Sequence, residues 1–470
     1  MKIFNTLTRR KEEFVPLEEG KVKIYSCGPT VYNYFHLGNA RPFITFDTLR
    51  RYLEYLGYEV SFVQNFTDID DKMISGAKAE GVSVKELADH YIEAYFEDAR
   101  GLNIKDATVH PRATECIEDI VNMVKTLVDK GYAYPAKDGV YYAARKFKNY
   151  CCLSGYDIDD LRQNVRKDVM AESGKKDPAD FALWKFKKEG EPYWPSPWGD
   201  GRPGWHIECS VMSTKYLGDS IDIHAGGQDL IFPQHENEIA QSEAATGKPF
   251  VKYWMHNGFI TVDNEKMSKS EGNFFLVREI AEKYGYMPIR LFMLNSHYRS
   301  PINFSDELIH SAASAYKRIE TSLKNLDFVL AQPFEADAEK EAAQEKELTS
   351  ASEEAEAEFR RSMDDDLNTA DALAAVFELV RKVNIALSEP ASEAGLAKAK
   401  EVLLRLLDVL GLRFELEDEI PREIRELAEA RQKAKEARNY EEADRLRDQI
   451  SEKGYKVTDT PQGPHLEADV

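Results

Sequence analysis

Residues 21–66 constrain the fold more than any other stretch of this chain. Lys21-Val22-Lys23-Ile24-Tyr25-Ser26-Cys27 alternates polar and apolar side chains with period two, the pattern of a half-buried strand. Gly28-Pro29-Thr30 breaks it. Phe43, Phe46, Leu49, Leu53 and Leu56 then recur at spacings of three and four, which predicts a helix ended by Gly57. Val60-Ser61-Phe62-Val63-Gln64-Asn65-Phe66 reads as a second strand. Strand, helix and strand in so short a span read as a βαβ unit, which predicts a parallel sheet.

Composition narrows the class. With 470 residues there is room for about three domains. A hydrophobic content of 43%, with 23 Tyr and 23 Phe, supplies their cores and excludes wholesale disorder. The net charge of −21 argues against a protein that coats nucleic acid, yet leaves room for a nucleic-acid enzyme with local basic patches. No apolar run reaches the ~18 residues of a membrane span, and the N-terminus lacks the apolar stretch of a signal peptide. Cys27, Cys116, Cys151, Cys152 and Cys209 are too scattered for a disulfide framework, and a reducing cytoplasm is the expected setting.

Further along, residues 111–201 differ in character, with a Cys-Cys pair and the Pro- and Trp-rich run from Pro192 to Gly199. They read as an insertion with an irregular exit loop. Strand patterns return at Ser220–His224 and near Val251–Ile260, with a helix between them at Glu236–Thr246. Beyond about Asp306 the pattern is helical. Asp364-Asp365-Asp366 precedes a long apolar-periodic helix, and Asn368 or Thr369 is its expected N-cap. The last segment carries Arg431, Lys433, Lys435, Arg438, Arg445 and Arg447 among interleaved glutamates. That is either a salt-bridged helix or a phosphate-contacting face.

Two short elements carry chemistry. His36-Leu37-Gly38-Asn39 lies at the strand-to-helix junction, where backbone N–H groups and a partial positive charge face a ligand. His36 and Asn39 can both donate to phosphate oxygens. Lys266-Met267-Ser268-Lys269-Ser270 places two lysines in a short loop, able to swing over a polyphosphate. Neither a Walker loop nor a GxGxxG occurs. Either element by itself says little; the ordered pair says much more.

That pair resembles the signatures of class I aminoacyl-tRNA synthetases, usually His-Ile-Gly-His and Lys-Met-Ser-Lys-Ser. Longer segments narrow the resemblance to the cysteinyl-tRNA synthetases. They are residues 27–33 (Cys-Gly-Pro-Thr-Val-Tyr-Asn), 65–72 (Asn-Phe-Thr-Asp-Ile-Asp-Asp-Lys), 204–210 (Gly-Trp-His-Ile-Glu-Cys-Ser), 236–241 (Glu-Asn-Glu-Ile-Ala-Gln) and 459–463 (Asp-Thr-Pro-Gln-Gly). The likeness spans essentially the whole chain. Asn39 stands where the family has its second histidine, and its amide can also donate to phosphate.

The resemblance implies an α/β fold: a Rossmann-type catalytic domain in two halves, 1–110 and 202–305, split by a connective insertion at 111–201. A helical bundle at 306–412 and a small anticodon-reading module at 413–470 follow. It implies ATP-dependent activation of L-cysteine to cysteinyl-adenylate and transfer to the 3′ end of tRNA(Cys). His36, Asn39, Lys266 and Lys269 are the catalytic candidates. Gly227 and Asp229 join them on ATP, and Thr67, Trp205 and His224 on the amino acid. Mg²⁺ should accompany ATP, and a monomer is expected. A zinc ion is implied too, held in the family by two cysteines, a histidine and a glutamate. Cys27, Cys209 and Glu238 match three of these, and the position of the histidine is Gln234. Three outcomes stay open: ligation by the Gln234 carbonyl, three protein ligands plus substrate, or substitution by His235. Metal–thiolate recognition would supply the ~10⁴-fold discrimination against serine that an apolar pocket cannot. An amino-sugar cysteine ligase fits the tRNA-facing regions poorly. A zinc hydrolase leaves the lysine loop unexplained, and a non-catalytic paralogue would be expected to lose its lysines.

Overall fold

The computed structural model describes the whole chain except residues 160–173, 263–264, 267–274, 333–337, 389–391, 417–420, 461–462 and 469–470. It divides into two compact units, Met1–Ile309 with Asp364–Asn368, and His310–Met363 with Thr369–Val470.

The first unit is built on the expected βαβ element. Strand β1 (Lys21–Ser26) leads through helix α1 (Leu37–Tyr55) into strand β2 (Glu59–Gln64). Helix α2 (Trp205–Leu217), strand β3 (Ile221–Gly227), helix α3 (Glu236–Thr246) and strand β4 (Val251–Asn257) form the second half. The four strands pair in the order β4-β3-β1-β2, and every pairing is parallel. Tyr25 sits opposite His224, and Ser26 opposite Ala225. The chain therefore runs outward from β1 on one side and from β3 on the other. The crevice at that reversal, beyond the carboxyl ends of the strands, is where open α/β sheets bind ligands.

Helix α1 is buried along most of its length. Leu37, Ala40, Ile44, Phe46, Leu49 and Tyr52 are all fully covered. Its polar residues inside the core are paired: Asp47 accepts from Arg51 Nε at 2.8 Å and from Arg290 Nη2 at 2.5 Å. Gly28 turns the chain out of β1 because nothing larger fits. A Cβ there would lie 1.6 Å from the Asn65 carbonyl oxygen.

The insertion holds more order than its composition suggests. Ala133–Pro135, Gly139–Tyr142, Phe181–Phe186 and Gly201–Pro203 make a four-stranded antiparallel sheet. Tyr142, Leu183 and Trp184 share one core with Ile207 of α2 and Ile239 of α3. Asp364–Asn368 is not simply a helix cap. The buried Asp366 accepts from Phe4 N, Tyr298 Oη and Arg299, while the following helix begins at Thr369.

The second unit is helical, with Ala338–Asp364, Thr369–Ala386 and Glu393–Val409 among its long helices. At the end of the chain Arg422–Glu436 and Tyr440–Glu452 pack on a hairpin of Tyr455–Thr460 and Gly463–Ala468. Ile424, Ala428, Ile450 and Leu466 form its small core. The salt-bridged reading holds for much of the basic cluster. Arg431 and Lys435 both pair with Asp459 at 2.7 Å, Arg445 with Glu442, and Arg447 with Asp444.

Candidate active site

The ends of β1 and β3 gather the chemistry-bearing residues. Cys27 N donates to Ala225 O at 3.3 Å, so Cys27 leaves the sheet pinned to β3. Cys209 comes from α2, and Glu238 from the first turn of α3. Cys27 Sγ lies 3.8 Å from Cys209 Sγ and 3.9 Å from Glu238 Oε1. It lies 3.3 Å from His235 Nε2. Cys27, His224, His235 and Glu238 offer ligand atoms all within 4.8 Å of one another, so a Cys/His/Glu cluster able to hold a metal ion is present.

Gln234 and His235 take different tasks. The Gln234 amide donates from Nε2 to Glu238 Oε1 at 2.8 Å, and its oxygen faces His206 Nδ1 at 2.5 Å. The helical spacing thus brings Gln234 to Glu238, as expected, while the imidazole beside the sulfur is His235. His235 Nδ1 lies 2.8 Å from His256 Nε2, and His256 Nδ1 lies 2.7 Å from Thr6 Oγ1. Gly226 makes room for that ring, since a Cβ there would stand 2.9 Å from His235 Cε1.

His224 is not on the cavity wall where an amino-acid-lining residue would sit. It is fully buried behind Glu238, with Nε2 2.8 Å from Oε2 and its ring stacked on Trp254 at 4.6 Å. Thr67 is likewise buried, donating to Glu208 Oε2 at 3.0 Å. Trp205 is 45% exposed and does face the cavity.

Protonation follows burial. The hydrogen bond with Cys209, then burial, hold the Cys27 thiol well above the ordinary thiol range. At Cys209 the bond from Cys27 favours the thiolate, but burial wins and raises the thiol. Burial pushes His235 well below the usual imidazole value and His256 down to about 3, so both rings are neutral. Neutral imidazole is the metal-binding form, and a bound cation would expel the thiol protons.

The nucleotide elements open into the same space. One cavity of about 360 Å³ is lined by Cys27 and Trp205 at one side and by His36, Asn39, Gly227 and Asp229 at the other. His36 is the N-cap of α1; its N–H donates to Asn39 Oδ1 at 3.3 Å. A Cβ on Gly227 would lie 2.3 Å from Asp229 Oδ1, so glycine lets that carboxylate fold back over the strand end. Lys266 ends a short strand, Glu265–Lys266, paired with Thr261 and Val262. Lys269 and its loop, 267–274, lie outside the described residues, as does the Lys266 side chain. The chain returns at Phe275, whose carbonyl accepts from Leu37 N at 3.1 Å, and Val277 N donates to Phe35 O at 3.2 Å. The exit from the second signature is thereby bonded to the first.

Sequence reasoning passed over His256 and Thr6, and gave Gly226 and Asn65 no place in the metal cluster. Asn65 Oδ1 accepts from Gly28 N at 3.0 Å and lies 3.8 Å from Cys209 Sγ. His256 reaches the cluster through strand pairing, which places it opposite Gly226; no local spacing marks it.

A family model described as the class I (C) tRNA synthetase catalytic domain matches residues 13–314, and a DALR domain matches 358–415. The chain is 56% identical to a cysteine–tRNA ligase of Caldicellulosiruptor saccharolyticus, over 99% of both proteins. The chain belongs to the cysteine–tRNA ligase family. A family member from Clostridioides difficile is 52% identical over 98% of this chain and 99% of its own. Among solved structures, Mycobacterium tuberculosis methionyl-tRNA synthetase in complex with methionyl-adenylate shares the fold. Its TM-score is 0.61 at 18% identity, covering 83% of this chain and 89% of that one. Membership implies tRNA, ATP and an amino acid as substrates. Among the described residues no helix is long and apolar enough to cross a membrane.

Proposed function

We propose that this protein activates L-cysteine with ATP and transfers it to the 3′ end of tRNA(Cys), as a monomer in the cytoplasm. The observation that carries the reading is the single cavity joining Cys27 to His36, Asn39, Gly227 and Asp229. A thiol-recognising cluster and a nucleotide site must share one space if a cysteine carboxylate is to reach the α-phosphorus of ATP.

The reaction needs no covalent enzyme nucleophile. The carboxylate attacks in line, pyrophosphate leaves, and a terminal ribose hydroxyl of the tRNA then attacks the adenylate. Catalysis rests on positioning and on meeting developing charge. His36, Asn39 and the N-terminus of α1 take the phosphates from one side. With the Asn39 oxygen held by the His36 N–H, its amide nitrogen is the end that donates. Lys266 and Lys269 meet charge on the same phosphates, Lys269 foremost. Gly227 and Asp229 receive the adenosine and its ribose, and Mg²⁺ enters with ATP. Trp205 closes the amino-acid side, with Thr67 and His224 supporting the pocket from behind.

The donor set of sulfur, imidazole and carboxylate suits zinc. Cys27, Cys209 and Glu238 are the core residues that would hold it. When bound, the ion offers a position at which a thiol loses its proton and a serine hydroxyl does not. His224 keeps the Glu238 carboxylate aimed by binding its far oxygen. The helical region 306–412 and the module 413–470 would carry the tRNA, their local cations reconciling that role with the acidic total. ATP–pyrophosphate exchange with cysteine and with serine, with and without added zinc, tests the reading. No exchange with cysteine contradicts it.

A further inference from the structure

We propose that in this chain the imidazole ligand of the zinc site is His235, and that the preceding residue, Gln234, is a positioning residue that aims Glu238. The inference rests on the zinc reading above and goes beyond it, because the resemblance to the family would put the ligand at position 234.

Four observations carry it. His235 Nε2 stands 3.3 Å from Cys27 Sγ, and its ring belongs to the cluster whose ligand atoms lie within 4.8 Å. The other ring nitrogen is engaged: Nδ1 meets His256 Nε2 at 2.8 Å, and His256 Nδ1 meets Thr6 Oγ1 at 2.7 Å. If His235 Nδ1–H donates to His256 and His256 Nδ1–H donates to Thr6, the His235 Nε2 lone pair faces the Cys27 sulfur. Such an outer partner is what fixes the tautomer and orientation of a ligating histidine. Gly226 leaves the space the ring occupies, since a Cβ there would meet Cε1 at 2.9 Å. The Gln234 amide, finally, is committed elsewhere. Its nitrogen donates to Glu238 Oε1, so its oxygen turns to His206.

Both residues reach the site because the backbone changes just before α3. Phe232 is extended, at φ −139° and ψ 134°, and His235 is helical, at φ −70° and ψ −31°. Positions 234 and 235 then stand four and three residues before Glu238, both within reach of its face. Glu238 is held from two sides, by His224 on Oε2 and by Gln234 on Oε1.

The test uses full-length protein, zinc and a chromophoric chelator in competition, with X-ray absorption at the zinc edge. Wild type should show two sulfurs and one imidazole. His235→Gln should lose the imidazole scattering and about 100-fold or more in zinc affinity, beyond the 10–100-fold that outer partners control. Gln234→Ala should keep the imidazole and lose about 10-fold. Circular dichroism checks folding. Should His235→Gln not fold, wild type and His224→Gln decide, because His224 is the other imidazole of the cluster: imidazole retained in both supports the assignment, and its absence from either overturns it. Zinc affinity indifferent to His235→Gln, in a wild type that exchanges pyrophosphate with cysteine, overturns this inference alone. Failure of wild type to exchange with cysteine overturns the reading beneath it.

Discussion

Gly226→Ala is the sharpest small perturbation of the metal cluster. The new methyl would stand 2.9 Å from both His235 Cε1 and Leu230 Cδ1, where ordinary contact begins at 3.4 Å. Leu230 Cδ1 is the end of a flexible side chain and can rotate away. The His235 ring cannot, because Nδ1 is bonded to His256 and its face lies 5.1 Å from Trp254. The ring must retreat by about 0.5 Å, or the strand must shift. Overpacking a close-fitting core costs about 1–3 kcal/mol. Misaiming a ligand by loss of its support costs about 10–100-fold in metal affinity, or about 1.4–2.7 kcal/mol. Chelator competition should therefore show weaker zinc binding in Gly226→Ala. Discrimination between cysteine and serine in pyrophosphate exchange should fall with it, while ATP binding changes little. Wild-type zinc affinity together with an unchanged melting temperature would refute the steric argument.

Other perturbations separate the parts of the site. Lys269→Ala should slow cysteine-dependent pyrophosphate exchange by about 10²–10³-fold while cysteine binding by calorimetry stays unchanged, since the lysine meets charge that develops during reaction; an unchanged exchange rate contradicts that role. Cys27 and Cys209 both titrate above the ordinary thiol value, so they keep their protons at neutral pH until a cation displaces them. Zinc affinity should therefore rise with pH, by up to about tenfold per unit for each proton released; a flat profile from pH 6 to 8 would show the thiols were already ionised. Asp47→Asn leaves the guanidinium groups of Arg51 and Arg290 buried without their carboxylate. It should cost about 3–5 kcal/mol and lower the melting point of the catalytic unit by about 5–15 °C, and calorimetry showing less than a 2 °C drop would count against it.

The sequence made the parallel sheet legible because its signals are local. Alternation over 21–27, the three-and-four spacing from Phe43 to Leu56, and the stop at Gly57 depend on neighbours in the chain, and β1, α1 and β2 appear within a few residues of those limits. The insertion sheet was missed because Ala133–Pro135 and Gly201–Pro203 are three residues each, too short to show a period. Its bond to the rest comes from large side chains such as Trp184. Asp459 was read as part of a terminal motif. In the structure it pairs with Arg431 and Lys435 of the helix Arg422–Glu436, tying the hairpin to that helix. In the site, Gln234, at the position the resemblance pointed to, does meet Glu238. The resemblance could not tell which of two adjacent residues would stand beside Cys27. That choice depends on Gly226 and His256, which arrive through the pairing of β3 with β4.

The central claim, a cysteine-activating synthetase in which Cys27 and the nucleotide site share one cavity, is tested most directly by ATP–pyrophosphate exchange in the zinc-loaded protein. Cysteine should drive exchange with a kcat/KM about 10⁴-fold or more above that for serine. Removing the metal should abolish that preference. Comparable exchange with the two amino acids, or a cysteine preference that survives complete removal of zinc, would contradict the account.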